Sequence, residues 1–269
     1  MSKRYLIESS IVRPVLGFGS SAQAKEIRNA AGGADLWSST YLRMEFVRGV
    51  VCTMARMAAA VRNFDDCTQA FAYLSQDFSV RDMKVYVQVA GMLLDKSVPK
   101  TTTAWAETIA REAVQFLRRF DKKFASRLRN RSRCQIGGGK PEIDYNTLVD
   151  DLNSYCREFL TPVTNCEVGT WLDLANSRSD ASSLIKTLAG TIKSVEHLAD
   201  VKANKTHITC RECVKISDAV IALEQPESIT LVYSDNAFNA LCHELGKPGL
   251  QVPSAVKAER DANPNVPPL

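Results

Sequence analysis

The sequence predicts an α/β fold, a parallel sheet sandwiched by helices and interrupted by a large all-helical insertion. Strand and helix patterns alternate at both ends of the chain, whereas helical patterns alone fill its middle. Such alternation is typical of parallel sheets covered by helices. We therefore expect an α/β core at residues 1–62 and 203–253 and the insertion at residues 63–202. Residues 254–269, with three prolines, are expected to form a flexible tail.

The first part of the core contains two strand and two helix patterns. Short apolar runs at residues 5–7 and 34–39 predict the strands. Between them, "SSAQAKEIRNAA" predicts a helix that ends at Gly32-Gly33. Residues 40–64 predict a long helix with one inward face. The apolar residues of this face recur every four positions, at Leu42, Phe46, Val50 and Met54.

Helical patterns then dominate until the strand patterns return at residues 228–233 and 249–252. A glycine-rich segment at residues 134–144 interrupts the helical region. The predicted helices cover residues 65–76, 79–95, 103–130, 144–158, 167–176 and 180–202. The insertion therefore carries most of the helical residues.

Composition narrows the class of protein. No apolar run approaches the roughly 20 residues that span a bilayer. The N-terminal apolar stretch is too short for a signal peptide. We therefore expect a cytoplasmic protein with no membrane partner. In that reducing compartment, the eight cysteines are expected to be core thiols or metal ligands. The net charge of +4 permits an acidic partner without requiring one.

Four acidic residues occupy similar places in the predicted pattern. Glu8 and Asp235 directly follow strands, Asp218 opens a helix, and Glu45 lies early in the long helix. Because the carboxyl ends of parallel strands meet at one sheet edge, these carboxylates would repel one another without a cation. Mg²⁺ or Mn²⁺ would relieve that repulsion, since both prefer oxygen ligands.

A structural interpretation of the same acids is equally simple. Asp218 and Asp235 are good helix N-caps or first-turn acids. Glu45 would then be a solvated residue paired with Arg43 or Arg48. Spacing alone leaves the metal cluster and the structural roles as alternatives.

The segments that carry these acids together resemble the PIN-domain ribonucleases. They are "YLIESSIVRP", "SSTYLRMEFVRG", "ISDAVIAL" and "LVYSDNAFNALCHELG", in the order found in that family. The resemblance covers residues 1–62 and 205–253 and implies a PIN-like sheet. The first acid of the family is normally an aspartate, where this chain has Glu8. This departure puts the activity of the site in question.

The resemblance implies a metal-dependent endoribonuclease that cleaves single-stranded RNA. One or two Mg²⁺ or Mn²⁺ ions bound by the four acids would activate a water for phosphodiester hydrolysis. Ser10 and Ser234 match the family's small polar residues, and Arg48 is a candidate phosphate contact or a surface ion-pair residue. The family also suggests a toxin or phage-defence role with a cognate inhibitor protein, and self-association stays open. The alternative is a non-catalytic PIN-like module that binds RNA or protein and is stabilised by a structural zinc ion.

Cysteines near the core suggest a second metal. Cys210 and Cys213 form a C-x-x-C pair suited to zinc, with His207 as a substitute ligand. Cys134 and Cys166 lie in loop-like segments and could complete a structural site. The remaining cysteines lie in helical patterns and are expected in the core, at Cys52, Cys67, Cys156 and Cys242. The alternative is that all eight are buried or idle thiols.

Residues 111–133 are the most basic stretch of the chain, and their pattern predicts an amphipathic helix that runs into a basic loop. An RNA backbone is the partner that we expect for this surface. A solvated helix face or a membrane surface is the alternative. The predicted RNA contacts are Arg118, Arg119, Lys122, Lys123, Arg127 and Arg129.

Overall fold

The protein was analysed as a computed structural model, which describes residues 3–18, 21–77, 80–138, 143–160, 166–204 and 208–262. Within these ranges, five strands form one sheet in the order β3-β2-β1-β4-β5, and every strand pairing is parallel. The predicted α/β fold with a parallel sheet is therefore confirmed. The strands are β1 (Arg4–Ile7), β2 (Asp35–Ser39), β3 (Leu128–Arg129), β4 (Thr230–Tyr233) and β5 (Gly249–Gln251).

Helices make up most of the described chain. Before β3 lie α1 (Ser9–Val15), α2 (Ser21–Ala31), α3 (Thr40–Phe46), α4 (Cys52–Arg62), α5 (Cys67–Asp77), α6 (Val80–Asp95) and α7 (Thr102–Phe124). After β3 lie α8 (Gln135–Gly138), α9 (Leu148–Leu160), α10 (Glu167–Asn176), α11 (Asp180–Leu188), α12 (Lys193–Asn204), α13 (Cys210–Lys215), α14 (Ser217–Glu224), α15 (Asn236–Glu244) and α16 (Ala255–Ala262). A π-helical segment, Val47–Val51, joins α3 to α4.

The sheet extends in opposite directions from the boundary between β1 and β4. From β1 the sheet grows towards β2 and β3 on one side, and β4 and β5 lie on the other side. Ile7 pairs with Val232, and the Glu8 amide donates to the Val232 carbonyl at 3.1 Å. The carboxyl ends of β1 and β4 therefore flank a topological switch point, which is where open α/β sheets bind ligands.

The chain divides into two compact units. The first comprises Met1–Met44, Phe124–Gly139 and Pro162–Leu269 and contains the sheet. Its core includes Ile7, Leu231 and Phe238, all 2% exposed or less. The second comprises Glu45–Lys123 and Lys140–Thr161, and its described residues are mainly helical. Aromatic stacking stabilises that helical core, with the ring centroids of Phe46 and Phe120 5.2 Å apart.

Two predicted helices are wrong in extent, for local reasons. The helix predicted at 103–130 ends at Phe124, because Leu128 and Arg129 pair with β2 as β3. The helix predicted at 180–202 is two helices, α11 and α12. Gly190 between them has a φ of +86°, a conformation that glycine adopts without steric cost and that ends a helix.

Other differences concern helix ends and the tail. Helix α1, which contains Pro14, has no counterpart among the predicted helices. Helix α16 lies inside the predicted flexible tail, and the Gln23 side chain donates to the Pro253 carbonyl at 3.0 Å just before it. The predicted stop at Gly32-Gly33 is confirmed, with both glycines at positive φ.

Candidate functional site

Glu8 links the carboxyl ends of β1 and β4. Its side chain is only 3% exposed and caps α1, where Oε2 accepts from the Ser10 amide at 2.6 Å. Oε1 accepts from the Ser10 hydroxyl and from the Ser234 amide, the latter at 3.1 Å. The two serine hydroxyls also share a hydrogen bond of 2.5 Å. Glu8 is therefore held by groups from both strand ends.

Asp235 lies next to this network but in a different environment. It is exposed and caps α15, where Oδ1 accepts from the Ala237 amide at 2.9 Å. The predicted cap role of this residue is confirmed. We call Glu8, Ser10, Ser234 and Asp235 the switch-point site, since they follow β1 and β4 directly.

The remaining predicted acids lie on helices. Asp218 is the second residue of α14, half-buried, so its alternative interpretation as a first-turn acid is confirmed. Glu45 lies in α3 and is 4% exposed, so its alternative interpretation as a solvated residue is wrong. Arg48 is half-buried in the π-helical segment. Glu45 and Arg48 belong to the second unit.

The side-chain chemistry of the switch-point site suits a hard cation, because its donors are carboxylate and hydroxyl oxygens. Across the side chains that the structure describes, no group of three or more histidine, cysteine, aspartate and glutamate residues is arranged as a metal-binding group. A metal ion at the switch-point site would therefore be held by one or two protein carboxylates, those of Asp235 and Glu8.

Three cysteines of the predicted zinc site belong to the first unit, where their described side chains form no metal-binding group. We call Cys134, Cys166 and Cys213 the cysteine cluster. A hydrogen bond with Cys213 lowers the pKa of the Cys166 thiol to about 7, and backbone groups at the start of α10 act in the same direction. The same hydrogen bond, together with burial, raises the pKa of Cys213. The Cys134 thiol contributes to that increase electrostatically.

The other predicted ligands of this zinc site fall outside the described side chains. His207 lies outside the described residues, and Cys210 is described only in its backbone, as the first residue of α13. The prediction of core thiols is confirmed for the four cysteines in helical patterns. Those buried residues are Cys52, Cys67, Cys156 and Cys242.

Helix α7 has the amphipathic pattern that the sequence predicts. Its apolar residues are buried, and Phe116 and Phe120 are 3% exposed or less. Its basic residues at 118, 119, 122 and 123 are exposed. The guanidinium carbon of Arg118 lies 6.0 Å from the ring centroid of Tyr145, and that of Arg119 lies 5.1 Å from the Phe116 ring. The exposed face of α7 therefore carries a band of positive charge.

Two of the predicted RNA contacts have structural partners within the first unit. Arg127 forms an ion pair with Asp35, with a nitrogen–oxygen distance of 2.9 Å. The Arg129 guanidinium lies over the Trp37 ring, 4.1 Å from its centroid. Both contacts join the β3 segment to β2.

Sequence reasoning missed two buried polar residues of the first unit. Tyr41 donates from its hydroxyl to the Cys213 carbonyl at 2.5 Å, and its oxygen lies 3.8 Å from the Cys213 sulfur. Glu224 is 1% exposed and accepts from the Ser132 amide and hydroxyl at 3.1 and 2.9 Å. Neither had a sequence signal, because both lie in helical segments that read as apolar.

Comparison of the chain with protein-family models, with curated proteins and with solved structures finds no match to any of them. Within the described ranges, no helix combines the length and apolar character needed to cross a bilayer.

Proposed function

We propose that this chain is a PIN-like, metal-dependent endoribonuclease that hydrolyses single-stranded RNA at the switch-point site. The observation that carries the proposal is the hydrogen bond between Glu8 and Ser234, directly beside Asp235, at the topological switch point. Ligands of open α/β sheets bind at this place. The resemblance of the four acid-bearing segments to PIN-domain ribonucleases supports phosphodiester chemistry there.

The donor atoms suit Mg²⁺ or Mn²⁺ bound together with substrate. Mg²⁺ in phosphoryl-transfer sites is typically held by one or two carboxylates plus substrate phosphates, so a closed protein cage is not required. Asp235 is the principal ligand that we assign, because its helix cap uses Oδ1 and the residue is exposed. When bound, the ion would activate water and neutralise charge on the phosphate.

The neighbouring residues would hold this ligand and the substrate in place. Glu8 contributes a second carboxylate, fixed by its hydrogen bonds to Ser10 and Ser234. The Ser10 hydroxyl and the Ser234 amide donate to that carboxylate, and the two serine hydroxyls share a hydrogen bond, so these residues orient Glu8. Asp218, in the first turn of α14, is assigned to the metal by the family resemblance alone.

The test compares cleavage of single-stranded RNA in Mn²⁺ by the wild type, Asp218→Asn and Asp235→Asn. Asparagine caps a helix as well as aspartate does, so Asp235→Asn should fold normally, and Asp218→Asn keeps the size and shape of a first-turn side chain. Each should lose about 100-fold or more in rate, the scale for removing one stabilising group from a reaction site. The matched control is Asp66→Asn, since Asp66 is also exposed and accepts an amide hydrogen bond, from Gln69 at 2.9 Å.

A chelator should abolish the cleavage by the wild type, and the Asp66 variant should cleave at the wild-type rate. Equal cleavage by all four proteins would reject the assignment of the site. Absence of cleavage by the wild type would reject the enzyme and leave the non-catalytic alternative.

A second prediction concerns the charged face of α7 and RNA binding. The triple variant Arg118→Glu, Arg119→Glu and Lys122→Glu should weaken binding and flatten its salt dependence, because each lost phosphate contact removes about 0.7 from the slope for single strands. A fluorescence titration at several salt concentrations measures both quantities. The control reverses three other exposed cations, Arg178, Lys186 and Lys193. Equal loss in both triple variants would reject α7 as the RNA-binding surface.

One observation favours the non-catalytic alternative, a PIN-like module that binds RNA or protein. Glu8 is buried, and its carboxylate accepts hydrogen bonds from Ser10 and Ser234, so it can act as a structural clamp without a metal. This alternative predicts RNA or protein binding that is unchanged by a chelator and by Asp235→Asn. If the chain is a nuclease, the resemblance to toxins and phage-defence proteins predicts a cognate inhibitor as its partner.

A further inference from the structure

A cavity of about 460 Å³ opens on the second unit, beside α7. Three segments line it: the end of α4, the first half of α7, and the turn that leads into α9 with the first residues of that helix. Its volume lies in the range of small-ligand sites, which combine aromatic or apolar walls with a few polar groups. Its polar and aromatic lining includes Glu107, Arg111, Gln115, Tyr145, Asn146 and Asp150.

Tyr145 forms the aromatic wall of this cavity, and hydrogen bonds fix its position from two sides. The Tyr145 hydroxyl donates to Oδ2 of Asp121 on α7 at 2.7 Å. The Asn146 amide donates to Oδ1 of Asp144 at 2.9 Å, which stabilises the turn around Tyr145. The tyrosine is half-buried, so part of its ring is accessible to a ligand. A ring held in this way loses little conformational freedom when a planar ligand stacks on it.

The cavity is continuous with the charged face of α7. Four residues of the helix follow one another at spacings of three or four, which places them on one face: Arg111, Gln115, Arg118 and Lys122. The first two line the cavity, and the last two are exposed cations. The guanidinium carbon of Arg118 also lies 6.0 Å from the ring centroid of Tyr145. A ligand in the cavity would therefore lie beside a surface that attracts phosphates.

The polar side chains of the cavity favour a neutral group over a phosphate. Glu107 and Asp150 add negative charge to the lining, and Arg111 pairs with Glu107 at a nitrogen–oxygen distance of 3.0 Å. The two carboxylates would repel a phosphate, whereas they can accept hydrogen bonds from amino groups. The side-chain amides of Gln115 and Asn146 can both donate and accept. This mixture suits the edge of a nucleobase, which carries donors as well as acceptors.

We propose that this cavity binds one nucleobase of single-stranded RNA, stacked on Tyr145, while the neighbouring phosphates lie on the charged face of α7. This site rests on the RNA binding proposed for α7 and adds the recognition of a base to it. Glu107 and Asp150 accept from the exocyclic amino group of adenine, cytosine or guanine, which uracil lacks. The chain should therefore bind oligoadenylate more tightly than oligouridylate.

The experiment measures the affinity of the full chain for fluorescent single-stranded oligonucleotides, with a chelator present so that no RNA is cleaved. The probes are oligoadenylate, oligouridylate and an abasic RNA of the same length. Tyr145→Ala should weaken the binding of oligoadenylate about 5- to 150-fold, the range for the loss of one base–aromatic stack. The variant should leave the salt dependence and the weaker binding of abasic RNA unchanged, because it removes no phosphate contact.

Further variants keep the test decisive if Tyr145→Ala fails to fold. Tyr145→Phe retains the ring and should bind oligoadenylate like the wild type. Gln115→Ala replaces an exposed side chain of α7 by the best helix former, so it should fold, and it should weaken binding about 2- to 10-fold. The matched control is Tyr73→Ala, which should bind like the wild type. Tyr73 is also a tyrosine of the second unit and is 51% exposed.

Equal affinity of folded Tyr145→Ala and the wild type for oligoadenylate would overturn the base site. Wild-type affinity of Gln115→Ala, an equal loss in Tyr73→Ala, or equal binding of oligoadenylate and abasic RNA by the wild type would overturn it as well. A preference for oligouridylate would contradict the roles of Glu107 and Asp150.

These outcomes are distinguishable from a failure of the proposed function. The base site can fail while Asp235→Asn still abolishes cleavage, and the nuclease can fail while the chain still prefers oligoadenylate. A wild type that binds no RNA would overturn the base site together with the RNA-binding role of α7.

Discussion

Glu8 and Asp235 follow two neighbouring parallel strands, yet the structure uses them differently. Glu8 is 3% exposed and accepts from the amides of Ser10 and Ser234, whereas Asp235 is exposed and accepts from Ala237. The longer glutamate side chain can reach both the start of α1 and the end of β4. An acidic residue that follows a strand can therefore take either of two roles. It can hold two segments of the fold together through hydrogen bonds, as a clamp, or it can stay exposed and available to a ligand.

The largest expected effect on stability is that of Glu8→Ala. This change leaves two part-buried amides without their acceptor, which costs about 2–6 kcal/mol of unfolding free energy at about 1–3 kcal/mol per group. Urea denaturation followed by circular dichroism measures the loss. Glu8→Gln should cost less, because its amide oxygen can still accept from one of the two amides, which donate to different carboxylate oxygens. A loss below that of an ordinary surface substitution would contradict the clamp role.

A smaller effect is expected at Asp235. Asp235→Ala removes the α15 cap and should cost about 1 kcal/mol, whereas Asp235→Asn should change stability by only a few tenths, because asparagine caps as well as aspartate. The same denaturation measurement compares the two variants. If Asp235→Ala destabilised the chain as strongly as Glu8→Ala, the distinction between clamp and available carboxylate would fail.

The smallest expected effect on stability concerns the buried carboxylate of Glu224. Burial raises the pKa of Glu224 above its ordinary value of 4.5, although hydrogen bonds from Ser39 and Ser132 oppose the shift. An acid whose pKa is raised on folding makes the folded state less stable as pH rises from 4.5 through the raised pKa. Glu224→Gln should remove this decline, since an amide oxygen still accepts from Ser132. Denaturation at pH 4 to 7 measures it, and an unchanged pH profile would contradict the assignment.

The features that the sequence predicts best are local. The strands β1, β2 and β4 show as short apolar runs, and Asp235 could be recognised as a helix cap because capping depends on neighbours in sequence. The pairing of β1 with β4, which brings Glu8 to Ser234, joins residues more than 200 positions apart and has no local signal. For the same reason β3, with only two residues, was hidden inside a predicted helix.

The candidate sites show the same division. Residue types and spacings selected Cys134, Cys166 and Cys213 as ligands, but only the fold brings two of their thiols into hydrogen-bond contact. The Tyr41 hydroxyl, which donates to the Cys213 carbonyl, was not predicted to be a polar contact, because a tyrosine on the buried face of a helix is ordinarily a core residue. The sequence therefore indicates the chemical type of a site, whereas contacts between residues distant in sequence determine which side chains come together.

The most direct test of the proposed function locates the divalent ion without relying on activity. Fe²⁺ replaces Mg²⁺ in the presence of single-stranded RNA, and hydroxyl radicals produced with ascorbate and peroxide cut the chain near the bound metal. Mass spectrometry should find cuts close to residues 8–10 and 234–236, and excess Mg²⁺ or Asp235→Asn should suppress them. Cuts confined to other segments, or unaffected by Asp235→Asn, would contradict a metal at the switch-point site.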